Sequence, residues 1–245
     1  MNGHKDMPRR EPPNEAGARQ AAALAHIARA EAALSQAPGV DAASAAPIDV
    51  AAVIGAGAMG AGIATCFAAA GVPVTLVDIA QDRVDRGLAA VRANLDGAVA
   101  KGKMEAGEGA RAFSRLSGAT DYSRLSDAGL VVEAVFENLA LKKRVFADLD
   151  RAAKPDAILA TNTSYLDIDA IAGATRRPDK VLGLHFFNPA HVMKLLEIVR
   201  GAATAPATLA AGIETARRLK KTGVIAGNGF GFIGNRMLNA YRTEA

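Results

Sequence analysis

The stretch DVAAVIGAGAMG, which runs from Asp49 to Gly60, decides the fold class of this 245-residue chain. It joins a short apolar run to the pattern GxGxxG, and an Ala-rich helical segment follows. Glycine at these positions permits a tight turn, close approach of a pyrophosphate, and close packing of helix on strand. The sequence therefore predicts a dinucleotide-binding turn, and we expect cofactor contacts from Gly55, Gly57, Ala58, Met59 and Gly60.

One carboxylate indicates which dinucleotide binds. Asp78 directly follows the next predicted strand, VPVTLV. It lies about 20 residues after the glycines, where a carboxylate can accept hydrogen bonds from the adenosine ribose. A 2′-phosphate would be repelled there, and residues 79–81 (Ile-Ala-Gln) supply no compensating cation. We therefore predict NAD, in preference to NADP, as the cofactor.

Strands and helices are predicted to alternate along residues 48–226. The later apolar runs VPVTLVD, GLVVEAV, AILATNT and KVLGLHFF are separated by longer segments with helical periodicity. Strict alternation favours a parallel sheet, because parallel neighbours need crossover connections. The predicted fold class is therefore α/β, with a Rossmann-type, doubly wound and mainly parallel sheet.

Residues 1–47 differ in composition from this predicted domain. Residues 1–19 are rich in Pro, Glu, Arg and Gly and are predicted to be disordered. Residues 20–36 are Ala-rich with apolar residues near helical spacing, which predicts a helix. Residues 38–47 contain the Pro, Gly and Ser that are typical of a linker. The sequence thus predicts a helical or disordered extension before the domain.

Charge and cysteine content argue against several function classes. The 29 Lys and Arg residues are dispersed among 25 Asp and Glu residues, so no nucleic-acid partner is expected. We expect no signal peptide, no metal site and no membrane span, because no window approaches ~18 uninterrupted apolar residues. The single cysteine, Cys66, rules out an internal disulfide and is expected to be a buried helix residue. We therefore expect a soluble, cytoplasmic protein.

Four segments beyond Asp78 carry polar residues suited to catalysis. In chain order they are Asn162–Ser164 (NTS), His185–Pro189 (HFFNP), Met193–Glu197 (MKLLE) and Gly231–Arg236 (GFIGNR). Together with the glycine turn they closely resemble the 3-hydroxyacyl-CoA dehydrogenase family, from about residue 50 to residue 241. The resemblance is greatest to the dehydrogenase half of multifunctional hydratase–dehydrogenase enzymes of fatty-acid β-oxidation.

The resemblance implies a catalytic group built around a histidine. It assigns the catalytic base to His185 and its partner to Glu197, a carboxylate that would fix the tautomer and stabilise the imidazolium. It also places Ser164 and Asn235 around the reacting oxygen of the substrate. Considered without the family, a histidine beside two phenylalanines is more often a core residue. Ser164 would serve equally well in a turn or a helix cap.

The same resemblance implies further contacts with the cofactor and the substrate. Cofactor contacts fall on residues of three later segments: Glu137, Lys142, Asn162 and Asn188. An ordinary solvated helix start stays an alternative for the first two, as does a turn for Asn188. Lys101 and Lys103 lie where related enzymes bind the CoA portion, although a charged helix end explains this pair better.

The resemblance also implies a reaction and a domain arrangement. Family members continue past the GFIGNR segment into an all-helical domain that closes the substrate cleft, whereas residues 227–245 hold only its first turns. The first hypothesis is a dehydrogenase that oxidises an L-3-hydroxyacyl-CoA to the 3-ketoacyl-CoA with NAD. The second is an NAD-binding module without turnover, a fragment of a multifunctional enzyme. An acyl-CoA is the expected partner, and a homodimer is expected only if the helical domain is present.

Overall fold

A computed structural model describes residues 13–34, 39–41, 45 and 47–244. Within these residues a single sheet is formed by β1 (Ala51–Ile54), β2 (Val74–Val77), β3 (Leu116–Ala119), β4 (Leu130–Glu133), β5 (Ile158–Thr161), β6 (Val181–Phe186), β7 (Leu195–Arg200) and β8 (Thr222–Gly227). The strand order is β3-β2-β1-β4-β5-β6-β7-β8. All neighbouring pairs are parallel except β6 with β7, which is antiparallel. The predicted α/β class with a mainly parallel sheet is confirmed.

The described helices are α1 (Pro13–Leu34), α2 (Ala58–Ala69), α3 (Gln81–Ala100), α4 (Ala106–Phe113), α5 (Leu139–Ala152), α6 (Ile168–Ala172), α7 (Pro206–Arg218) and α8 (Gly234–Glu244). Helices α2, α3, α4 and α7 pack on one face of the sheet, and α5 and α6 pack on the other. The sheet is therefore doubly wound, as predicted. Of the helices described, none is long and apolar enough to cross a membrane. Cys66 is buried in α2, as expected.

Strand β1 shows why the deciding stretch is apolar without alternation. Ala51 and Val53 pack into the core beneath α2, whereas Ala52 and Ile54 pack into the core beneath α5. All four side chains are buried. A central parallel strand is covered on both faces, so it needs apolar residues at consecutive positions. The glycine turn therefore begins at the end of the most enclosed part of the sheet.

Three strands were not among the apolar runs that predicted the sheet. Strand β3 (LSGA) lies at one edge, and none of its residues is fully buried, so the apolar signal is weak. Strand β8 (TGVIAG) lies at the other edge and is mostly half-buried. Strand β7 (LLEIVR) is buried, but a glutamate interrupts its apolar run. Strands that are only half-buried, or that contain a charged residue, therefore give a weak apolar signal in the sequence.

The N-terminal helix is longer than the sequence predicted. Helix α1 begins at Pro13, so residues 13–19 are helical and the prediction of disorder was wrong there. Proline is tolerated in the first turn of a helix, where its missing N–H would have had no intrahelical partner. Residues 1–12, also predicted to be disordered, lie outside the described residues. Strand β8 ends at Gly227, and the predicted domain boundary there stays a prediction.

Candidate active site

The three glycines of the turn are required for different reasons. Gly55 has a φ of 101°, and a Cβ there would lie 2.7 Å from the carbonyl oxygen of Ala134. A Cβ on Gly60 would lie only 1.7 Å from the carbonyl oxygen of Gly55. A Cβ on Gly57 would meet no protein atom within 4 Å. Gly55 and Gly60 thus serve the turn itself, whereas Gly57 leaves open space at the start of α2, where the pyrophosphate of a dinucleotide fits.

Asp78 links the end of β2 to this turn. Its Oδ2 accepts a hydrogen bond of 2.8 Å from the backbone N–H of Ala56, and its Oδ1 accepts one of 2.8 Å from Ile79. The guanidinium of Arg83 lies 3.8 Å from Oδ1, and the Arg83 side chain is 56% exposed. Residues 79–81 carry no cation, but the first turn of α3 brings Arg83 back beside the carboxylate.

A cavity of about 570 Å³ opens at the carboxyl ends of β1, β2 and β4. Its lining includes Gly55, Gly57, Asp78 and Arg83. Between β1 and β4 the chain changes the direction in which it adds strands to the sheet. Doubly wound proteins bind ligands at such a switch point, outside the carboxyl ends of the strands. The cavity therefore lies where the fold and the glycine turn place a dinucleotide.

His185 and Glu197 form a buried pair at the same end of the sheet. They lie directly opposite each other on the antiparallel strands β6 and β7. The imidazole Nδ1 is 2.7 Å from Oε2 of Glu197, and the side chains are 4% and 1% exposed. The rings of Phe187 and Phe232 flank the imidazole, with centroids 4.5 and 5.6 Å away. Contact at Nδ1 leaves Nε2 as the nitrogen available to a substrate.

The electrostatic environment keeps Glu197 ionised. Burial alone would raise the pKa of this carboxyl, but hydrogen bonds from His185, Gly234 and Ile233 outweigh burial and lower it. The Oε1 atom accepts backbone N–H bonds of 2.8 Å from Gly234 and 3.0 Å from Ile233. A carboxylate held in this way can stabilise an imidazolium on its other oxygen.

Glu137 anchors the loop that carries Ser164. Its Oε1 accepts hydrogen bonds from the hydroxyl of Thr163 and from the backbone N–H groups of Ser164 (2.9 Å) and Tyr165 (3.3 Å). Burial would raise the pKa of Glu137, but these hydrogen bonds and Lys142 lower it. Its neighbour Asn138 caps α5 by accepting from Leu141. Glu137 therefore holds the backbone of the loop that carries Ser164, and its predicted contact with the cofactor stays a prediction.

Lys142 is enclosed by protein and does not line the cofactor cavity. Its side chain is 1% exposed, and its ammonium lies 2.6 Å from Oε1 of Glu133 and 3.4 Å from Oε2 of Glu137. Glu133 is fully buried and also accepts 2.7 Å hydrogen bonds from Val135 and Thr161. The ammonium of Lys142 thus contacts two carboxylates, and its predicted contact with the cofactor stays a prediction.

The remaining predicted residues lie on the loops at this end of the sheet. Asn162 follows β5, and its Oδ1 accepts a 2.8 Å hydrogen bond from the backbone of Phe186, next to His185. Ser164 and Asn235 are half-buried, and Asn235 is the second residue of α8. Asn188 is exposed after β6 and precedes a cis peptide bond to Pro189. No cluster of three or more metal-ligating side chains occurs within the described ranges.

A second cavity, of about 550 Å³, lies between the C-terminal halves of α2 and α3, α4 and the end of α7. Lys103 lines it, whereas Lys101 is exposed outside it. One carboxylate, that of Glu108, faces six basic side chains in its lining: Lys103, Arg111, Arg115, Arg218, Lys220 and Lys221. Burial, followed by the charges of Lys221 and Lys101, lowers the pKa of His191 beside them. The cavity is therefore strongly positive.

Sequence reasoning missed Glu133, Thr161 and Arg83. Glu133 carried a signal, since a glutamate within the apolar run LVVEAV must find a partner if the strand is buried. Thr161 and Arg83 carried no such signal, because ordinary surface positions accept both residue types. Their importance follows only from the neighbours that the fold brings to them.

The glycine turn, the Asp78 carboxylate beside it and the histidine–carboxylate pair at one end of the sheet are features of the class of nicotinamide-dependent dehydrogenases. A sequence profile described as "3-hydroxyacyl-CoA dehydrogenase, NAD binding domain" matches residues 50–229. The chain belongs to the 3-hydroxyacyl-CoA dehydrogenase family and contains its NAD-binding domain. The predicted cofactor, NAD, and the predicted family are confirmed.

Several relatives and solved structures are similar to the chain. A peroxisomal bifunctional enzyme from Homo sapiens is 43% identical over 203 residues, which is 83% of this chain and 28% of that enzyme. A peroxisomal fatty acid beta-oxidation multifunctional protein from Arabidopsis thaliana is 38% identical over 224 residues, 91% of this chain and 31% of that protein. A (S)-3-hydroxybutyryl-CoA dehydrogenase from Ralstonia eutropha has a TM-score of 0.79 at 37% identity, covering 81% of this chain and 70% of that one. The chain thus spans less than a third of these curated relatives.

The prediction of a cytoplasmic protein was wrong, because both of these curated relatives are peroxisomal enzymes. That prediction rested on a single cysteine and on the lack of a signal peptide or membrane-length apolar window. One cysteine cannot form an internal disulfide in any compartment, so its presence does not distinguish the cytosol from an organelle. The composition therefore carried no information on this point.

Two glycine substitutions are expected to separate cofactor binding from folding. Gly57→Ala should leave the thermal unfolding temperature unchanged, because its Cβ meets no protein atom. It should weaken NAD binding by about 1–3 kcal/mol, roughly five- to 150-fold, because the methyl group would crowd the pyrophosphate. Gly60→Ala should lower the unfolding temperature, since its Cβ overlaps the carbonyl of Gly55. Calorimetric titration and thermal melts test both, and unaltered NAD affinity of Gly57→Ala would refute the placement of the pyrophosphate.

Proposed function

We propose that this chain forms the catalytic and cofactor-binding part of an enzyme that oxidises an L-3-hydroxyacyl-CoA to the 3-ketoacyl-CoA. The observation that carries the proposal is the 2.7 Å contact between His185 and Glu197 at the same end of the sheet as the glycine turn. The relatives named above support the reaction class, since their names specify β-oxidation and hydroxybutyryl-CoA dehydrogenation.

His185 is proposed as the catalytic base. Its Nε2 would take the proton of the substrate hydroxyl, because Nδ1 already contacts Glu197. NAD, when bound, supplies the acceptor for the hydride that leaves the same carbon atom. Glu197 would stabilise the imidazolium until its proton passes to solvent. Ser164 and Asn235 are proposed to donate hydrogen bonds to the substrate oxygen as negative charge develops on it.

The basic cavity is proposed to receive the phosphates of CoA. Its six basic side chains outnumber its one carboxylate, and three of them, Arg115, Arg218 and Lys221, contact backbone carbonyls rather than acids. Their positive charge is therefore left to attract an anion. Lys103 is the better of the two predicted lysines for this role, because it lines the cavity and Lys101 does not.

A second candidate function is an NAD-binding module without turnover. It is favoured by the apolar side chains that α8 and the preceding turn expose, which include Phe230, Met237 and Tyr241. An apolar surface of this kind is normally covered in a protein that works alone. The prediction that dimerisation depends on a C-terminal helical domain stays a prediction.

Loss of NADH absorbance on addition of acetoacetyl-CoA tests the proposed reaction in reverse. We expect NADH consumption with acetoacetyl-CoA and none with free acetoacetate, because the basic cavity would bind only the CoA ester. Lys103→Ala should raise KM for acetoacetyl-CoA with little change in kcat. Turnover of free acetoacetate without turnover of the thioester would contradict the proposal. NAD binding by calorimetry without turnover of either substrate would favour the module.

A further inference from the structure

The turn between β8 and α8 holds an unusual backbone conformation. Gly231 has a φ of 72°, and the next residue, Phe232, has a φ of 48°. A positive φ is uncommon for a non-glycine residue and costs roughly 1–3 kcal/mol. The turn points the successive N–H groups of Ile233 and Gly234 to the same side. Such a run of N–H groups forms a concave site that favours an anion.

The anion held by this turn is the carboxylate of Glu197. Both N–H groups donate to its Oε1, at 3.0 Å from Ile233 and 2.8 Å from Gly234. The other oxygen, Oε2, contacts His185. Glu197 is 1% exposed, so its charge cannot be stabilised by water and needs donors from the protein. The backbone of this turn provides two of them.

Side chains around the turn keep these N–H groups in place. Phe232 is buried, and its ring packs against the imidazole of His185. A Cβ on Gly234 would lie 2.8 Å from the ring of Phe187, so a side chain at this position would push the turn away from the sheet. The absence of a side chain at 234 therefore allows the close approach of the turn to Glu197.

We propose that the backbone N–H groups of Ile233 and Gly234 are positioning groups for the His185–Glu197 pair. By fixing Oε1 they direct Oε2 to Nδ1, so the orientation of the imidazole depends on how the first turn of α8 is seated. Asn235 is the next residue, so the same turn fixes both the base and a proposed donor to the substrate oxygen. The catalytic consequence of this inference rests on the proposed function. The two hydrogen bonds to Glu197 are observed in the structure and do not depend on that proposal.

Gly234→Ala tests the inference, with Gly227→Ala as its matched control. A Cβ on Gly227 meets no atom within 4 Å, and this residue ends β8 outside the site. Gly234→Ala should lower kcat by roughly 10²-fold with NAD affinity unchanged, because a displacement of about 1 Å misorients the base. The titration of the Glu197 carboxyl, followed by carbon NMR and assigned with Glu197→Gln, should move to higher pH. Gly227→Ala should match the parent chain in both measurements.

A second measurement needs no substitution in the turn. The amide protons of Ile233 and Gly234 in the parent chain should shift with the same pH midpoint as the Glu197 carboxyl. They should also lose protection from exchange in Glu197→Ala, which removes the acceptor. Amide signals that do not follow this titration would overturn the inference, even if Gly234→Ala fails to fold.

The proposed function and the positioning role can fail separately. If His185→Ala loses turnover while Gly234→Ala keeps parental kcat and titration, the positioning role is refuted and the function stands. If neither the parent chain nor any variant turns over, the proposed function fails. The positioning role still stands if the Glu197 titration moves in Gly234→Ala and does not move in Gly227→Ala.

Discussion

Replacement of His185 by alanine is expected to lower kcat by about 10²–10⁴-fold, the usual cost of losing a general base. NAD affinity should stay within about twofold of the parent value. The reason is the proposed division of labour, in which the glycine turn and Asp78 would hold the dinucleotide and the imidazole of His185 would meet the substrate hydroxyl. Steady-state turnover, followed by NADH absorbance, measures the change in kcat. Calorimetric titration with NAD measures the affinity independently.

Controls for this expectation come from the partner carboxylate and from a remote histidine. Glu197→Gln should also lower kcat, and the double variant should lose less than the product of the two single losses, because the carboxylate acts through the imidazole. His26→Ala alters an exposed histidine on α1 and should leave kcat unchanged. Multiplicative losses in the double variant would mean that Glu197 acts independently of His185.

Lys142→Met is expected to cost about 3–5 kcal/mol in the free energy of unfolding. The substitution leaves Glu133 buried without its cation, since the ammonium lies 2.6 Å from this fully buried carboxylate. It should also loosen the Ser164 loop, because Glu137 loses its contact with Lys142. Urea denaturation followed by circular dichroism measures the change in unfolding free energy.

The adjacent residue offers a matched control for the buried lysine. Lys143→Met makes the same chemical change on an exposed face of α5 and should alter stability by no more than about 0.5 kcal/mol. Combining Lys142→Met with Glu133→Gln should recover part of the loss, because no uncompensated charge then stays buried. Equal stability of the Lys142 and Lys143 variants would show that the buried ion pair contributes nothing to the fold.

The sequence predicted those parts of the structure that depend on local pattern. The run from Asp49 to Gly60 indicated a strand, a turn and a helix, and all three are present. The spacing of His185 and Glu197 alone did not place them together. Only the family resemblance assigned Glu197 as the partner of His185. Their contact depends on the antiparallel pairing of β6 with β7, which the sequence did not predict.

Parts of the site that depend on burial were predicted poorly. For Lys142 the family resemblance predicted a contact with the cofactor, and the alternative was a solvated residue at the start of a helix; neither anticipated its burial. Its burial follows from Glu133 on the neighbouring strand, which no local pattern reveals. Arg83 was missed for a related reason, since proximity to Asp78 arises from the path of the chain into α3.

The hydrogen bond from the Ala56 N–H to Asp78 has a consequence for altering cofactor preference. Replacing this carboxylate with an aliphatic side chain would relieve repulsion of a 2′-phosphate but would also leave a backbone donor of the glycine turn without its acceptor. A substitution at position 78 would therefore affect both the proposed contact with the ribose and the conformation of the glycine turn. A redesign toward NADP should start from asparagine at 78, because its amide oxygen can still accept the hydrogen bond from the Ala56 N–H. Arg83, already within 3.8 Å, would then lose its competing anion and become available to the added phosphate.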